Sequence, residues 1–282
     1  MEEKPEEKEK QEKVLAYLAE KKPVLDLFDT HAHLNDEKLF RQLPEVLARA
    51  KANGVNHIAN IGYDWPSSLL AVKTAEQYPQ QVIAAIGIHP SDADTLDDNM
   101  LEKLYDLAQS SQVRAIGEIG LDYYWNDHSH EVQKKAFYAQ IDLAKELKLP
   151  IVIHDRDAHE DVLNIVKQTN AAVNGGIMHC YSGSWEMAKV CLKLGWKLSI
   201  GGPLTFTNAK NLPEVVEKTP ITELLVETDS PYLSPHPFRG RTNEPALVRL
   251  VAEKIASIKG LSIEETASCL SANSKAIYQV LY

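Results

Sequence analysis

Eight short apolar runs, each followed by a longer stretch, recur from Pro23 onward. They are Val24–Phe28, Val55–Ile61, Gln81–Ile88, Val113–Ile119, Pro150–His154, Gly175–Cys180, Trp196–Gly201 and Glu223–Thr228. Runs of this length read as buried strands. Between them, segments such as Leu39–Gly54, His130–Leu149 and Ser184–Gly195 space their apolar residues as amphipathic helices do, and Pro44 has to lie in a first turn. A strand–helix unit repeated eight times predicts a parallel sheet. The 260 residues from Pro23 to the end match the ~250 typical of a closed (β/α)8 TIM barrel. An open doubly wound sheet is the alternative, but Gly117-Glu118-Ile119-Gly120 has the wrong spacing for a dinucleotide fingerprint. Asn243–Lys259 completes the barrel, and Ser262–Val280 is expected to add an extra C-terminal helix opened by a capping signal.

Residues 1–22 stand outside this rhythm as a charged N-terminal extension, leaving 23–282 as the barrel. The extension holds seven Glu and six Lys and reads as a solvated tail, or a short helix through Val14–Glu20. The formal net charge of −10 therefore belongs almost wholly to the barrel. Such a body does not coat nucleic acid by charge alone. Cys180, Cys191 and Cys269 form neither a disulfide framework nor a CxxC knuckle. No apolar stretch approaches a membrane span, the N-terminus lacks a signal-peptide core, and no obligate protein partner is evident. A cytoplasmic setting is expected.

Polar residues interrupt the strand ends. His31 and His33 follow the first run, and in an extended chain residues two apart share a face. His89 follows the third run, Glu118 the fourth, His154 the fifth and His179 the sixth; Glu227 and Asp229 follow the eighth. A barrel gathers all these ends at one mouth. Among them, four imidazoles (His31, His33, His154 and His179) and two carboxylates (Glu118 and Asp229) meeting there call for a cation, because clustered carboxylates otherwise repel or neutralise. Nitrogen and oxygen donors suit zinc, manganese or similar ions. Six donors fit two metals sharing a bridging carboxylate better than one. His57, His128, His130, His159 and His236 are expected to be structural. Cys180, next to His179 in an extended strand, should point away from the metals.

The segments Phe28–Leu34 (FDTHAHL), Ala85–Pro90 (AIGIHP), Ala115–Tyr124 (AIGEIGLDYY), Pro150–Ala158 (PIVIHDRDA), Met178–Gly183 (MHCYSG) and Leu224–Pro235 (LLVETDSPYLSP) together resemble the TatD family of metal-dependent hydrolases, within the amidohydrolase superfamily. The resemblance runs from about Val24 to the C-terminus and does not reach residues 1–22. It implies a (β/α)8 barrel, two divalent ions (zinc, magnesium or manganese) and deoxyribonuclease activity. Carried over residue by residue, it implies one metal on His31, His33, Glu118 and Asp229, and a second on Glu118, His154 and His179. No Lys lies in the Glu118 segment, so a carbamate bridge is not needed.

On this reading Asp229 positions and deprotonates the attacking water, and Glu118 bridges the ions. His89, Arg156 and Arg239, with Arg241, are candidate contacts to a DNA or nucleotide phosphate. Arg156 is alternatively a structural ion-pair partner. Tyr123, Tyr124 and Trp125 could stack on bases or pack locally. Two rival functions use the same residues: metal-dependent hydrolysis of an amide or ester in a small molecule, and non-catalytic metal binding.

Overall fold

The computed structural model describes residues 5–20, 25–125 and 127–280. The ends of the charged extension and the first residue of the first apolar run, Val24, lie outside the described residues. Eight strands form one parallel sheet in chain order: β1 (Leu27–Ala32), β2 (Val55–Ile61), β3 (Val82–Ile86), β4 (Val113–Asp122), β5 (Ile151–Arg156), β6 (Gly176–Met178), β7 (Trp196–Ile200) and β8 (Leu224–Val226). The barrel closes where Ala32 pairs in parallel with Ser230. There the Asp229 N–H donates to the His31 carbonyl (2.8 Å) and the His33 N–H to the Ser230 carbonyl (2.7 Å).

The helices are α1 (Pro5–Ala19), α2 (Glu37–Phe40), α3 (Leu43–Ala52), α4 (Trp65–Gln77), α5 (Asp98–Leu107), α6 (His130–Leu147), α7 (His159–Thr169), α8 (Trp185–Lys193), α9 (Leu212–Lys218), α10 (Val248–Lys259) and α11 (Ile263–Ile277). Pro44 sits in the first turn of α3, where its missing N–H costs nothing. Ser262 and Glu265 form the expected capping box of α11. None of the described helices is long and apolar enough to cross a membrane.

Side chains alternate across the strands. Leu27, Ile58, Ile86, Ile116 and Ile153 face the helices in the larger core. Phe28, Ala59, Ile61, Ile83, Ala85, Ala115, Val152, Ile177 and Leu225 fill the barrel interior. The extra helix α11 completes that interior from below. Tyr278, fully buried, stacks on Phe28 at 5.6 Å between ring centroids and donates its hydroxyl to the Thr30 carbonyl at 2.8 Å.

Three expectations need adjusting. The first strand is Leu27–Ala32 rather than Val24–Phe28, so His31 lies within it. The helix expected from Asn243 begins at Val248, because Asn243 is engaged in the preceding loop. Its side-chain amide donates to the Thr228 and Tyr232 carbonyls (2.9 and 2.7 Å). The extension is not simply solvated: Val14 and Leu18 of α1 are buried against Phe238, Ala246 and Leu247, and Asn53 donates its amide to the Leu18 carbonyl at 3.1 Å.

Candidate metal centre

Strict alternation would turn His31 and Glu118 outward, toward the helices. Two register shifts prevent this. Asp29 pairs with Ile58 and Ala32 with Asn60, three residues of β1 against two of β2. Ile116 pairs with Ile151 and Ile119 with Ile153, three residues of β4 against two of β5. One extra residue in each strand flips the faces beyond it. Leu27 and Ala32 both face the outer core, as do Ile116 and Ile119, so His31, His33 and Glu118 turn to the mouth. Glycine is required on both sides of Glu118. A Cβ on Gly117 would lie 2.6 Å from that of Val152, and one on Gly120, whose φ is +146°, would lie 2.0 Å from the His154 carbonyl oxygen.

The six expected donors do converge. His31 Nε2 lies 3.3 Å from His33 Nε2, 3.4 Å from Glu118 Oε2 and 3.7 Å from Asp229 Oδ1. His33 Nε2 lies 3.8 Å from Glu118 Oε2 and 3.4 Å from Asp229 Oδ1. The other Glu118 oxygen, Oε1, faces His154 Nδ1 at 2.7 Å and His179 Nε2 at 3.4 Å. The carboxylate thus turns one oxygen to each of two donor groups. A cavity of about 550 Å³ opens onto five of the six, all but His31, and is lined also by Tyr63, His89, Trp125, Arg156 and Tyr232. A groove of similar volume, about 580 Å³, lies over Lys167, Lys189 and Lys193, so size alone does not single out the mouth; its donors do.

The donor set suits cations. Ligands held 2.0–2.2 Å from one ion sit roughly 3–3.5 Å from each other, close to the 3.3–3.7 Å separations among His31, His33 and Asp229. His33 Nδ1 lies 3.0 Å from the Ile61 carbonyl; donating its proton there, the ring turns the Nε2 lone pair to the mouth. Electrostatics agree. Burial would raise the Glu118 carboxyl, but the His179 and His31 charges and the His154 bond outweigh it and hold it well below the usual carboxylate range. Burial likewise opposes ionisation of Asp229, yet its bond to His33 and the nearby histidine charges keep it low.

Two further carboxylates orient histidines, as outer partners of metal ligands commonly do. Asp122 Oδ2 lies 2.9 Å from His154 Nε2, and Glu227 Oε1 lies 3.0 Å from His179 Nδ1 while accepting the Cys180 N–H at 2.8 Å. Burial pushes the His154 imidazole down, but Asp122 and Glu118 hold it up at about 9. Burial opposes Glu227 and Glu118 in the same way at His179, which is held at about 10. Sequence reasoning did not single out Asp122. The same spacing-by-two rule, counted onward from Glu118, reaches it.

Asp29 adds a brace beneath these groups. Its carboxylate accepts the Thr228 N–H (2.9 Å), the Thr228 hydroxyl (2.6 Å) and the His31 N–H (3.3 Å), tying the strand that carries His31 to the loop that carries Asp229.

His89 lies beside the donors, Nε2 4.0 Å from Glu118 Oε1. His89, Glu118 and His154 are close enough to share an ion. However, the Ser91 N–H donates to His89 Nδ1 at 3.1 Å, which turns that lone pair away and leaves the proton on Nε2. Burial and the His154 charge push this ring down to about 3. His89 therefore offers the mouth a neutral N–H.

Arg156 lines the cavity, whereas Arg239 lies over the Phe206 ring at 4.3 Å, outside the cavity lining. Cys180 does not follow an extended strand. β6 ends at Met178, and Cys180 has a φ of 42°. Burial and the Glu227, Asp229 and Glu118 charges push its thiol up. Among the histidines expected to be structural, His57 lies in β2, and His130 and His159 open α6 and α7.

The sequence profile of the family described as TatD related DNase matches residues 28–279. The uncharacterized metal-dependent hydrolase YabD of Bacillus subtilis (strain 168) is 48% identical over 254 residues, 90% of this chain and 99% of that protein. YcfH of Escherichia coli (strain K12), also described as an uncharacterized metal-dependent hydrolase, is 36% identical over 257 residues, 90% of this chain and 96% of that protein. The crystal structure of YJJV, a TatD homolog from Escherichia coli K12, superposes with a TM-score of 0.85 at 29% identity, covering 90% of this chain and 98% of that one. Fold, donor cluster and sequence agree: the chain belongs to the TatD family of metal-dependent hydrolases.

Proposed function

We propose that the chain hydrolyses phosphodiester bonds in DNA, with two divalent ions held by His31, His33, Glu118, His154, His179 and Asp229. The observation that carries the dinuclear reading is the division of the Glu118 carboxylate, one oxygen toward His31 and His33, the other toward His154 and His179. The family's description as DNases supports phosphodiester as the substrate class. Four imidazoles favour zinc, whereas the two carboxylates also suit manganese or magnesium.

When bound, such ions lower the pKa of a water toward ~7 and neutralise phosphate oxygens. The chain supplies the rest. Asp229, held ionised, positions the attacking water and takes its proton. His89 donates its Nε2 proton in a hydrogen bond to a phosphate oxygen or the leaving oxygen, fixed in that tautomer by Ser91. Asp122 and Glu227 keep the His154 and His179 rings aligned. With a net charge of −10, grip rests on ions and few side chains, which favours short or single-stranded DNA and a shallow salt dependence.

The test is metal analysis of the purified chain coupled to digestion of 3′- and 5′-labelled DNA strands beside cyclic amides and esters. Metal-dependent cleavage of the labelled strands supports the reading. Hydrolysis of the amides or esters alone transfers the site to small-molecule chemistry, and turnover of nothing with any metal leaves a metal-binding protein.

A further inference from the structure

Beyond Glu118 the β4 strand runs to Asp122 and then turns through Tyr123, Tyr124 and Trp125. The three aromatics part company. Tyr123 is absorbed by the fold: its hydroxyl donates to Asp161 at 2.6 Å, and its ring stacks on His130 at 3.5 Å. Tyr124 and Trp125 are 55% and 63% exposed, which is costly for large rings without a partner. They stand at right angles, centroids 5.1 Å apart. The Arg156 guanidinium lies in the angle between them, 4.0 Å from the Tyr124 ring centre and 5.6 Å from that of Trp125. Among the described residues no carboxylate forms an ion pair with Arg156, which removes its expected structural alternative.

This stack is coupled to the metal centre. Asp122 Oδ1 accepts the N–H groups of Tyr124 and Trp125 at 2.9 and 3.0 Å, while its other oxygen faces His154. Arg156 follows His154 by two residues on β5 and pairs with Asp122 in register. It therefore shares the His154 face, about 7 Å farther along the strand, within the span of one nucleotide. Trp125 and Arg156 both line the cavity that holds the donors.

We infer that Tyr124, Trp125 and Arg156 form a stacking subsite for an unpaired nucleobase adjoining the phosphate bound at the mouth. Planar guanidinium and aromatic faces are the surfaces on which proteins stack unpaired bases. A base inside a duplex is stacked on both faces and has none free to offer. The inference rests on the phosphodiester reading and specifies which part of the substrate the rim recognises.

The test uses the full zinc-loaded chain, titrated by tryptophan fluorescence and by competition with a labelled strand. The probes are a phosphorothioate trithymidylate and the same backbone with abasic sugars. The base-bearing probe should bind about 5- to 150-fold more tightly and quench Trp125. Trp125→Ala should erase most of that advantage, Trp125→Phe should retain most of it, and Arg156→Lys, which keeps charge but loses the plane, should reduce it. Zinc content and circular dichroism report that the variants are folded. Equal binding of the two probes, or an equal loss for both in Trp125→Ala, overturns the subsite while leaving the phosphodiester reading standing. Failure of both probes to bind, in a chain that hydrolyses amides or esters, overturns the phosphodiester reading and the subsite with it.

Discussion

The two ends of the barrel are built from the same strands on opposite principles. At the floor, Phe28, Leu225, Val152 and Tyr278 leave one polar atom to satisfy, the Tyr278 hydroxyl, and Thr30 satisfies it. At the mouth, a few residues farther along each strand, histidines and carboxylates are packed 2.7–3.8 Å apart, imidazole against carboxylate. Burying charge is unfavourable unless it is matched. The floor therefore stabilises a frame against which the mouth can hold an arrangement that would not assemble alone. Barrels of this kind commonly place chemistry at the C-terminal face and stability at the other.

The division can be broken most severely at Glu118. Glu118→Gln removes the charge shared by both donor groups. It should abolish metal-dependent hydrolysis and lower metal content, measured by elemental analysis, while circular dichroism stays that of the parent. Loss of structure instead would mean that the mouth holds up the frame. The reciprocal change is Tyr278→Ala, which should cost about 3–5 kcal/mol in urea unfolding and leave metal content intact below the transition.

A smaller effect sharpens the comparison within the mouth. Asp122→Asn and Glu227→Gln should each weaken metal affinity or activity about 10- to 100-fold, read by chelator competition. An effect as large as that of Glu118→Gln would make these groups ligands rather than positioning residues.

pH offers a further probe. His154 and His179 are held at about 9 and about 10 in the metal-free chain, above the ordinary value near 6.5. Groups raised on folding stabilise most below the unfolded pKa, and their contribution disappears as pH climbs through the folded one. The thermal midpoint of chelator-treated protein should therefore fall between about pH 7 and pH 10. Ion binding near neutrality should release protons, detectable by calorimetry in buffers of different ionisation enthalpy. The smallest expected effect lies in the extension: Val14→Ala should cost about 1–2 kcal/mol and leave turnover unchanged. A change in turnover would place α1 among the elements that shape the mouth.

Much of this was legible in the sequence. The eight apolar runs, the closing helices and the polar strand ends follow from periodicity, and the family motifs imply six of those residues as one metal-binding set. The extra residues in β1 and β4 were not legible, because a one-residue shift leaves hydrophobic spacing almost unaltered while reversing every face beyond it. Gly117 and Gly120 were visible, but their need became clear only from how closely Val152 and His154 approach. Arg239 shared a polar loop with other basic residues, and nothing in its neighbours' identity announced Phe206 as its partner. The packing of α1 escaped because its charged residues dominate its composition, while two apolar positions one turn apart, Val14 and Leu18, make the contact.

The tyrosine that directly follows α11 also bears on how the molecule is made. Its hydroxyl grips the backbone one residue before His31, yet it is synthesised 248 residues after that point. A nascent chain leaving the ribosome with all eight strands in hand still has an unfilled hole beneath its earliest histidines. Contacts between such distant parts form late, so the pocket is sealed from below only when the final helix emerges, and shortened translation products lack the stopper.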